Sequence, residues 1–355
     1  MKKILAIVLA LVMVLSLAAC GPAKPAETKV SVFWYDEADV YLSSVRTALN
    51  KELDALGVAY DNQYAAGDKA KQLDQINTAI AGGAKVLVVN QVTSGSSDTA
   101  EDIIAAAGDI PVVFFNRAIG TDGSDLEILN GSYNTCFIGT DAPEAGHMQG
   151  KMIGDYVLAN YEAIDINGDG TISYAMMKGD EANVEAIYRT QYGVEDANAI
   201  LTAAGKPALK FYDDKNTAKY LVDQNGAWSA AQGQEYMQTI LSSYNEDNGN
   251  MVELVIANND DMAIGAIAAL QAAGYNKNDG GVTIPVFGVD ATAAAQEAIA
   301  AKAMTGTIKQ DAVGMANAVV KIAENLGLGK PTFEDVVGDL EGTWRVNIPY
   351  SAYSG

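Results

Sequence analysis

The chain has few of the residues on which metal and catalytic sites commonly depend. Its 355 residues include one histidine, His147, and two cysteines, Cys20 and Cys136. One histidine cannot form a multi-histidine metal site, and two cysteines cannot form a disulfide framework. Basic residues are also scarce, because 23 Lys and Arg stand against 45 Asp and Glu and give a formal net charge of −22. A surface this acidic repels phosphate backbones, which argues against nucleic acid as a partner.

The first 19 residues have the pattern of an export signal. Lys2 and Lys3 precede an apolar run over 4–15, and the sequence Leu-Ala-Ala-Cys ends at Cys20. Because the run is short for a membrane span and Leu-Ala-Ala-Cys resembles a bacterial lipobox, we predict a signal peptide over 1–19 and lipidation of Cys20. Residues 20–28 would then be a lipidated N-terminus and tether that anchor an exported protein on the extracytoplasmic side. The alternative is an ordinary secretory signal with an incidental cysteine.

From residue 29 onward, short β-rich runs alternate with longer Ala-rich amphipathic stretches. Strands this apolar, with helices between them, indicate parallel pairing with both faces covered. The pattern restarts after a Gly/Asp/Ser-rich loop over 119–132, so we predict an α/β protein with two doubly wound units. The predicted strands are 29–34, 58–64, 85–90, 110–116, 171–177, 208–214, 252–258, 284–290 and 306–310.

Polar side chains follow many of these predicted strands. In doubly wound sheets, ligands bind outside the carboxyl ends of the strands. The phosphate-binding patterns GxGxxG and GxxxxGK[ST] are absent, and amides and carboxylates predominate instead, which favours a neutral, polyhydroxylated ligand. The residues at these ends are Asp36, Asp39, Asn90, Gln91, Asn116, Arg117, Asn258, Asn259, Asp260, Asp261 and Asp290.

One segment, 165–173, has the spacing of a calcium loop. Oxygen-bearing side chains stand at loop positions one, three and five, glycine stands at six, and position seven offers a backbone carbonyl. Met176 occupies position twelve, where a bidentate glutamate is usual, so that carboxylate must come from elsewhere. A solvated Asx/Gly turn is the alternative interpretation. The candidate ligands are Asp165, Asn167, Asp169, Thr171 and Ser173.

Four blocks of this sequence together resemble a known family. They are PVVFFN (111–116), DINGDG (165–170), VIANND (255–260) and IPVFGVDA (284–291). Their order and spacing are similar to those of the galactose/glucose-binding proteins of bacterial ABC sugar importers, within the periplasmic-binding-protein group. The resemblance implies a type I fold, in which two α/β lobes joined by three crossing segments close on a ligand. The implied lobes are 29–138 plus 312–344 and 141–308 plus 346–355.

The resemblance also implies roles for individual residues. Tyr41 and Trp228 match two rings that sandwich a sugar, whose axial C–H bonds give it an apolar face. Glu253 matches the remote bidentate carboxylate of the family's structural calcium site. The positions that match hydroxyl-binding groups are Asp39, Asn116, Arg189, Asn259 and Asp290.

Three further positions depart from the family's residue types. Asn183 and Glu185 stand where the family has histidine and aspartate, and Gln310 stands where it has asparagine. These changes keep polarity but alter side-chain reach, and a pocket built on buried hydrogen bonds discriminates strongly when a partner is displaced. We therefore expect a monosaccharide, with galactose or glucose as the best guess and another hexose or a pentose left open.

The resemblance implies a sugar receptor and not an enzyme. Such a receptor delivers its ligand to an ABC permease, is typically a monomer, and in some cases also docks on a chemoreceptor. The alternative is a secreted sugar-processing enzyme that uses Asp39, Glu185 or Asp290 as cleft carboxylates. A transcription regulator shares the two-lobe fold but needs a DNA-binding helix-turn-helix, for which the export signal leaves no place.

Overall fold

A computed structural model describes residues 29–121, 124–131, 134–342 and 344–355. The predicted signal peptide over 1–19, the lipidation site Cys20 and the tether over 20–28 lie outside these residues. Within the described ranges, no helix combines the length and apolarity that crossing a membrane requires.

The first lobe is built on a seven-stranded sheet. Its strands are β1 (Lys29–Trp34), β2 (Ala59–Tyr64), β3 (Val86–Val89), β4 (Val112–Phe115), β5 (Thr135–Gly139), β12 (Asp339–Glu341) and β13 (Arg345–Asn347). The order across the sheet is β12-β13-β5-β4-β3-β1-β2, and only the edge strand β12 runs antiparallel to its neighbour. The helices of this lobe are α1 (Val40–Leu56), α2 (Lys69–Ala81), α3 (Ser97–Ala107), α4 (Ser124–Asn130) and α11 (Ala312–Gly327).

The second lobe repeats this design. Its strands are β6 (Ser173–Lys178), β7 (Lys210–Phe211), β8 (Leu221–Val222), β9 (Leu254–Ala257), β10 (Val286–Asp290), β11 (Gly306–Lys309) and β14 (Ser351–Tyr353). The order is β14-β11-β10-β9-β6-β7, with β8 also paired to β6, and the edge strand β14 is antiparallel. The helices are α5 (Ala142–Ala159), α6 (Tyr161–Ile164), α7 (Val184–Ala203), α8 (Ala230–Leu241), α9 (Asp260–Ala272) and α10 (Ala293–Ala300), with a 3₁₀ turn at Glu246–Asn248.

Helices cover both faces of each sheet, which explains why the strands are continuous apolar runs. In β3, Val86 and Val88 pack under α1 and α11, whereas Leu87 and Val89 face α2 and α3. Successive strand residues thus enter opposite cores, and neither face can be polar. Cys136 in β5 belongs to the first of these cores, and burial raises the pKa of its thiol to about 12. The predicted fold class is confirmed.

The chain passes between the lobes three times, at 140–141, 310–311 and 348–350. The third crossing was predicted near Arg345-Val346, with 346 onward in the second lobe. The structure corrects this boundary, because Arg345–Asn347 pairs with β5 of the first sheet. The amide of Ile348 still donates to the carbonyl of Gly139, and the chain leaves the first lobe only at Pro349, which has no amide hydrogen to continue the pairing.

Candidate functional site

A cavity lies between the lobes, where the carboxyl ends of the strands face each other. It is a narrow cleft, and the space of about 410 Å³ between its walls is partly open to solvent. All ten residues that the sequence assigned to a sugar site lie around it, together with one residue that was not assigned, Arg117. The lining residues are Asp39, Tyr41, Asn116, Arg117, Asn183, Glu185, Arg189, Trp228, Asn259, Asp290 and Gln310.

Local structure fixes several of these side chains at helix starts. Asp39, Asn183 and Asn259 are the N-cap residues of α1, α7 and α9, and each side-chain oxygen accepts backbone N–H groups of the first helical turn. This capping satisfies backbone N–H groups that have no partner within the helix. It also fixes each capping side chain where the loop from the preceding strand enters the helix. The sequence pattern of strand, polar residue and helix therefore produces both the cap and the cavity wall.

Two aromatic side chains contribute to the cavity from opposite lobes. Tyr41 and Trp228 are 7% and 8% exposed, so both rings are largely withdrawn from solvent. The Tyr41 hydroxyl contacts Met315 Sδ at 3.6 Å and is thereby directed into the first core. One face of the Trp228 indole packs on Gly179, where a Cβ atom would lie 2.0 Å from the ring. The side chain of Asn259 donates to the Trp228 carbonyl and holds this segment in place.

Three lining residues have unusual backbone conformations. Asn116, Trp228 and Asp290 adopt φ values of 61°, 56° and 122°, in the region that residues with a Cβ rarely occupy. Such strain persists only where surrounding structure enforces it, and it concentrates at functional sites. Three of the ten non-glycine residues with positive φ in the described ranges thus lie in the wall of this one cavity.

Three residues of the cavity wall carry buried hydrogen-bond donors that have no protein partner in the described chain. Arg117 Nε, Arg189 Nε and Gln310 Nε2 are buried, and no described residue accepts from them. An unpaired buried donor costs about 1–3 kcal/mol, so an arrangement with three of them requires acceptors from elsewhere. Hydroxyl oxygens of a bound ligand would supply these acceptors.

The other polar atoms of Arg189 are fully engaged. Its Nη1 donates to the carbonyl of Asn258 at 3.0 Å, and its Nη2 lies 3.1 Å from Glu185 Oε2 and 3.1 Å from Gln310 Oε1. Burial disfavours its charge, but Tyr350 and Glu185 more than compensate and raise the pKa of Arg189 above its usual value. The guanidinium is therefore a fixed cation in the cavity wall, and its Nε has no protein acceptor among the described residues.

Carboxylates supply the acceptors of the site. Loss of solvent raises the pKa of Asp290 well above its usual value, although the charge of Arg189 opposes this effect. Loss of solvent also raises the pKa of Asp39. Asp261, beside the cavity, has its pKa raised to about 6 by burial and by the charge of Asp39. A cavity that holds several acidic groups beside two arginines suits a neutral ligand with many hydroxyls better than an anion.

Arg117 links the two lobes across the cavity. Its guanidinium stacks on Tyr35 at 4.0 Å, and its Nη2 donates to the carbonyl of Val92 and lies 3.5 Å from Asp180 Oδ2 of the second lobe. Gly95 also approaches the second lobe, since a Cβ there would lie 3.6 Å from Val184 Cγ2. The lobes are thus in contact at the rim, as in a closed cleft.

The predicted calcium loop folds as a compact turn on the second lobe. The Asp165 carboxylate accepts the amides of Asp169 and Gly170 at 3.1 and 2.9 Å. The Glu253 carboxylate accepts the amides of Asn167 and Ser173 at 2.8 and 2.9 Å, and the Ser173 hydroxyl at 3.0 Å. The structure therefore brings the remote Glu253 to the loop.

The donor atoms of this loop fit a hard cation. All are oxygens, and Asn167 Oδ1 is buried without a donor, as a metal-facing amide oxygen would be. Clusters of three His, Cys, Asp or Glu side chains able to hold a metal are not found in the described ranges. A metal site in this loop would therefore need amide, hydroxyl and backbone oxygens, including the Thr171 carbonyl, in addition to its carboxylates.

Three residues in or behind the cavity wall were not predicted as site residues. Arg117 was noticed at a strand end but not assigned a role, Thr140 was predicted only as part of the first crossing between the lobes, and Tyr350 was not noticed. Tyr350 is 6% exposed and hydrogen-bonds to Arg189 and Glu185. The signal that could have found it is its position directly after Pro349, in the third crossing segment.

Comparison with known proteins agrees with this geometry. A family model described as periplasmic binding protein domain matches residues 30–331. The D-galactose/methyl-galactoside binding periplasmic protein MglB of Haemophilus influenzae is 32% identical over 343 residues, which cover 95% of this chain and 92% of that protein.

Two solved structures share the fold. An ABC transporter solute binding protein of Bacillus halodurans, with bound myo-inositol, has 22% identity and a TM-score of 0.68 over 94% of this chain and 96% of that one. Another from Clostridium phytofermentans, with bound β-D-glucose, has 20% identity and a TM-score of 0.69 over 92% and 94%. These relatives are transport proteins, and the chain is accordingly a binding protein and not an enzyme. The predicted resemblance is confirmed: the chain belongs to the periplasmic binding protein domain family, whose members act outside the cytoplasm.

Proposed function

We propose that this chain binds a monosaccharide in the cavity between its lobes and delivers it to an ABC permease. The observation that carries the proposal is the composition of one cavity between the lobes: its walls carry two aromatic rings, three unpaired donors and at least two carboxylates. A pyranose offers the complementary features, namely apolar C–H faces for the rings and a rim of hydroxyls that both donate and accept.

The identity of the sugar is a finer proposal. Galactose or glucose is our first choice, because MglB of Haemophilus influenzae binds D-galactose by its name and covers nearly the whole chain. Other relatives are named for D-xylose and rhizopine, and the Bacillus halodurans structure holds myo-inositol. The polar positions Asn183, Glu185 and Gln310 would decide among these ligands, since each presents a different reach to the ligand rim.

Isothermal titration calorimetry on the mature chain tests the proposal. The panel would contain D-galactose, D-glucose, D-xylose, L-arabinose and myo-inositol, with sucrose as a ligand too large for the cavity. We expect saturable one-to-one binding of at least one monosaccharide and unchanged sugar on recovery from the complex. Absence of saturable binding across the panel would overturn the assignment.

We propose a structural calcium ion in the loop over 165–173. Asp165, Asn167, Asp169, the Thr171 carbonyl, Ser173 and Glu253 would hold it, and the ion would neutralise the acidic groups that this loop gathers. Because the loop lies on the second lobe away from the cavity, chelation should lower the melting temperature more than it weakens sugar binding. Melting curves with EDTA and with added Ca²⁺ test this, using Glu253→Gln as a variant that should lose the calcium response.

We also propose that the chain is an exported lipoprotein anchored through Cys20 and otherwise monomeric. The export pattern over 1–19 supports this proposal, together with the extracytoplasmic family. Expression in a bacterial host with a radiolabelled fatty acid should label the protein, and Cys20→Ala should abolish the label and release the protein from membranes. Labelling that survives this substitution would contradict the anchor.

A further inference from the structure

The three segments that cross between the lobes meet at one buried ion pair. Glu185 and Arg189 lie one turn apart in α7 and pair at 3.1 Å. From the first crossing, Thr140 Oγ1 donates to Glu185 Oε1 at 2.6 Å, and from the second, Gln310 Oε1 accepts from Arg189 Nη2. From the third, the Tyr350 hydroxyl lies 2.8 Å from Glu185 Oε2, 3.0 Å from Arg189 Nη2 and 3.1 Å from Thr140 Oγ1.

Tyr350 is connected to the ligand cavity through its hydrogen bonds to Glu185 and Arg189. It does not line the cavity, whereas Glu185, Arg189 and Gln310 all do. Its hydroxyl accepts from Arg189 and donates to Glu185, so it ties the orientations of both side chains to the third crossing. Protein groups hold both Nη1 and Nη2 of Arg189, whereas its buried Nε has no protein acceptor in the part of the chain that the structure describes.

We propose that Tyr350 is a positioning residue for ligand binding, whose hydroxyl fixes Arg189 and Glu185 in the orientation that they have in the cavity wall. The inference rests on the proposed sugar-binding function. The Tyr350 ring packs with Ala145, Val289 and Ile308 of the second lobe, which also carries the ion pair. The hydroxyl therefore holds Arg189 and Glu185 from a fixed position in the same lobe.

The substitution Tyr350→Phe tests the role of the hydroxyl alone. The phenyl ring keeps the buried volume and the 5.9 Å contact with the Arg189 guanidinium. A hydrogen bond to a charged group is lost on each side, so we expect D-galactose or D-glucose to bind about tenfold more weakly, mainly through faster dissociation. The matched control is Tyr353→Phe in β14, which is close in sequence but has no hydrogen bond to the ion pair and should keep wild-type affinity.

A thermodynamic cycle separates positioning from general stability. If the hydroxyl acts through Glu185, the losses of binding free energy in Glu185→Gln and Tyr350→Phe should be strongly non-additive. The double variant should then bind sugar about as weakly as whichever single variant has the lower affinity. Amide hydrogen exchange should also rise at 139–141 and 309–311 in Tyr350→Phe, and not in Tyr353→Phe.

Two distinct results would overturn these proposals. If wild-type protein binds sugar and Tyr350→Phe lowers the melting temperature without changing affinity, or if the cycle is additive, Tyr350 is a structural residue and the positioning role is wrong. If wild-type protein binds neither D-galactose nor D-glucose, nor any other sugar of the panel, the proposed function itself fails, and the positioning role fails with it.

Discussion

Replacing Gly179 with alanine tests whether Trp228 forms a wall of the ligand cleft. Gly179 follows β6, its amide donates to Asn258 Oδ1 at 3.2 Å, and its φ is not positive, so the indole is the main obstacle to a side chain. An added Cβ would lie 2.0 Å from Cε3 and 2.2 Å from Cδ2 of Trp228. Because carbon atoms pack at about 3.5–4.0 Å, the indole would have to move about 1.5–2 Å, and the cavity is the space open to it.

The expected loss of affinity is estimated from the area of the Trp228 indole that a ligand would cover. An aromatic side chain buries about 150–250 Å², and a stacked sugar would cover about 100 Å² of it once it displaces the groups that now leave Trp228 8% exposed. At about 25 cal/mol per Å², losing that contact costs about 2.5 kcal/mol, or about sixtyfold in Kd. The crowding itself should cost about 1–3 kcal/mol of stability, so the variant should remain folded.

Calorimetry with the sugar that wild-type protein binds measures the effect, and near-ultraviolet circular dichroism reports the tryptophan environment. Gly281→Ala is the control, since a Cβ there meets only the Asp279 carboxylate at 3.0 Å. Wild-type affinity in a folded Gly179→Ala variant would refute the placement of the indole against the ligand.

Three further predictions concern the same cleft. Trp228→Ala should weaken sugar binding by about 2–4 kcal/mol through lost stacking and buried area, and unchanged affinity by calorimetry would show that the indole does not face the ligand. Asp180→Asn removes the charged partner of Arg117 across the cleft, so stopped-flow experiments should show a severalfold faster sugar off-rate. The control Glu162→Gln should leave the off-rate unchanged, because the pair of Glu162 with Lys206 lies within the second lobe. The pKa of Asp261 is raised to about 6 in the folded chain, above its value of about 4 in the unfolded chain. The contribution of this carboxyl to the free energy of unfolding is therefore fully present below pH about 4 and is lost as pH rises through about 6. Asp261→Asn should therefore raise the melting temperature of the ligand-free protein at pH 7 by a few degrees and leave it unchanged at pH 4, and an equal shift at both pH values would contradict this reasoning.

Most of the fold could be predicted because its strands are buried on both faces. Runs such as 85–90 and 252–258 contain β3 and β9 to within two residues at each end, since a strand with helices on both sides must be apolar throughout. The strands β8, β12, β13 and β14 were missed because they contain only two or three residues each. Segments this short carry no periodicity for a sequence pattern to reveal.

The residues around the cavity were predictable to the extent that they end strands or begin helices. Asn116 and Asp290 follow from topology, because parallel strands bring their carboxyl ends to one edge. The role of Arg117 depends on its contact with Asp180 of the other lobe, and that of Tyr350 on side chains distant in sequence, so no local pattern records either. The ligand roles of the lining residues and the metal stay predictions until binding is measured.

The single thiol of the described chain has a practical consequence. A soluble form that begins after Cys20 contains Cys136 alone, and a thiol with a pKa of about 12 inside a core is almost entirely protonated and inaccessible to maleimides. A cysteine introduced at the exposed Glu37, beside the cleft, would then be labelled selectively with an environment-sensitive dye. Lobe movement would be converted into a fluorescence signal without removing any native residue from the core.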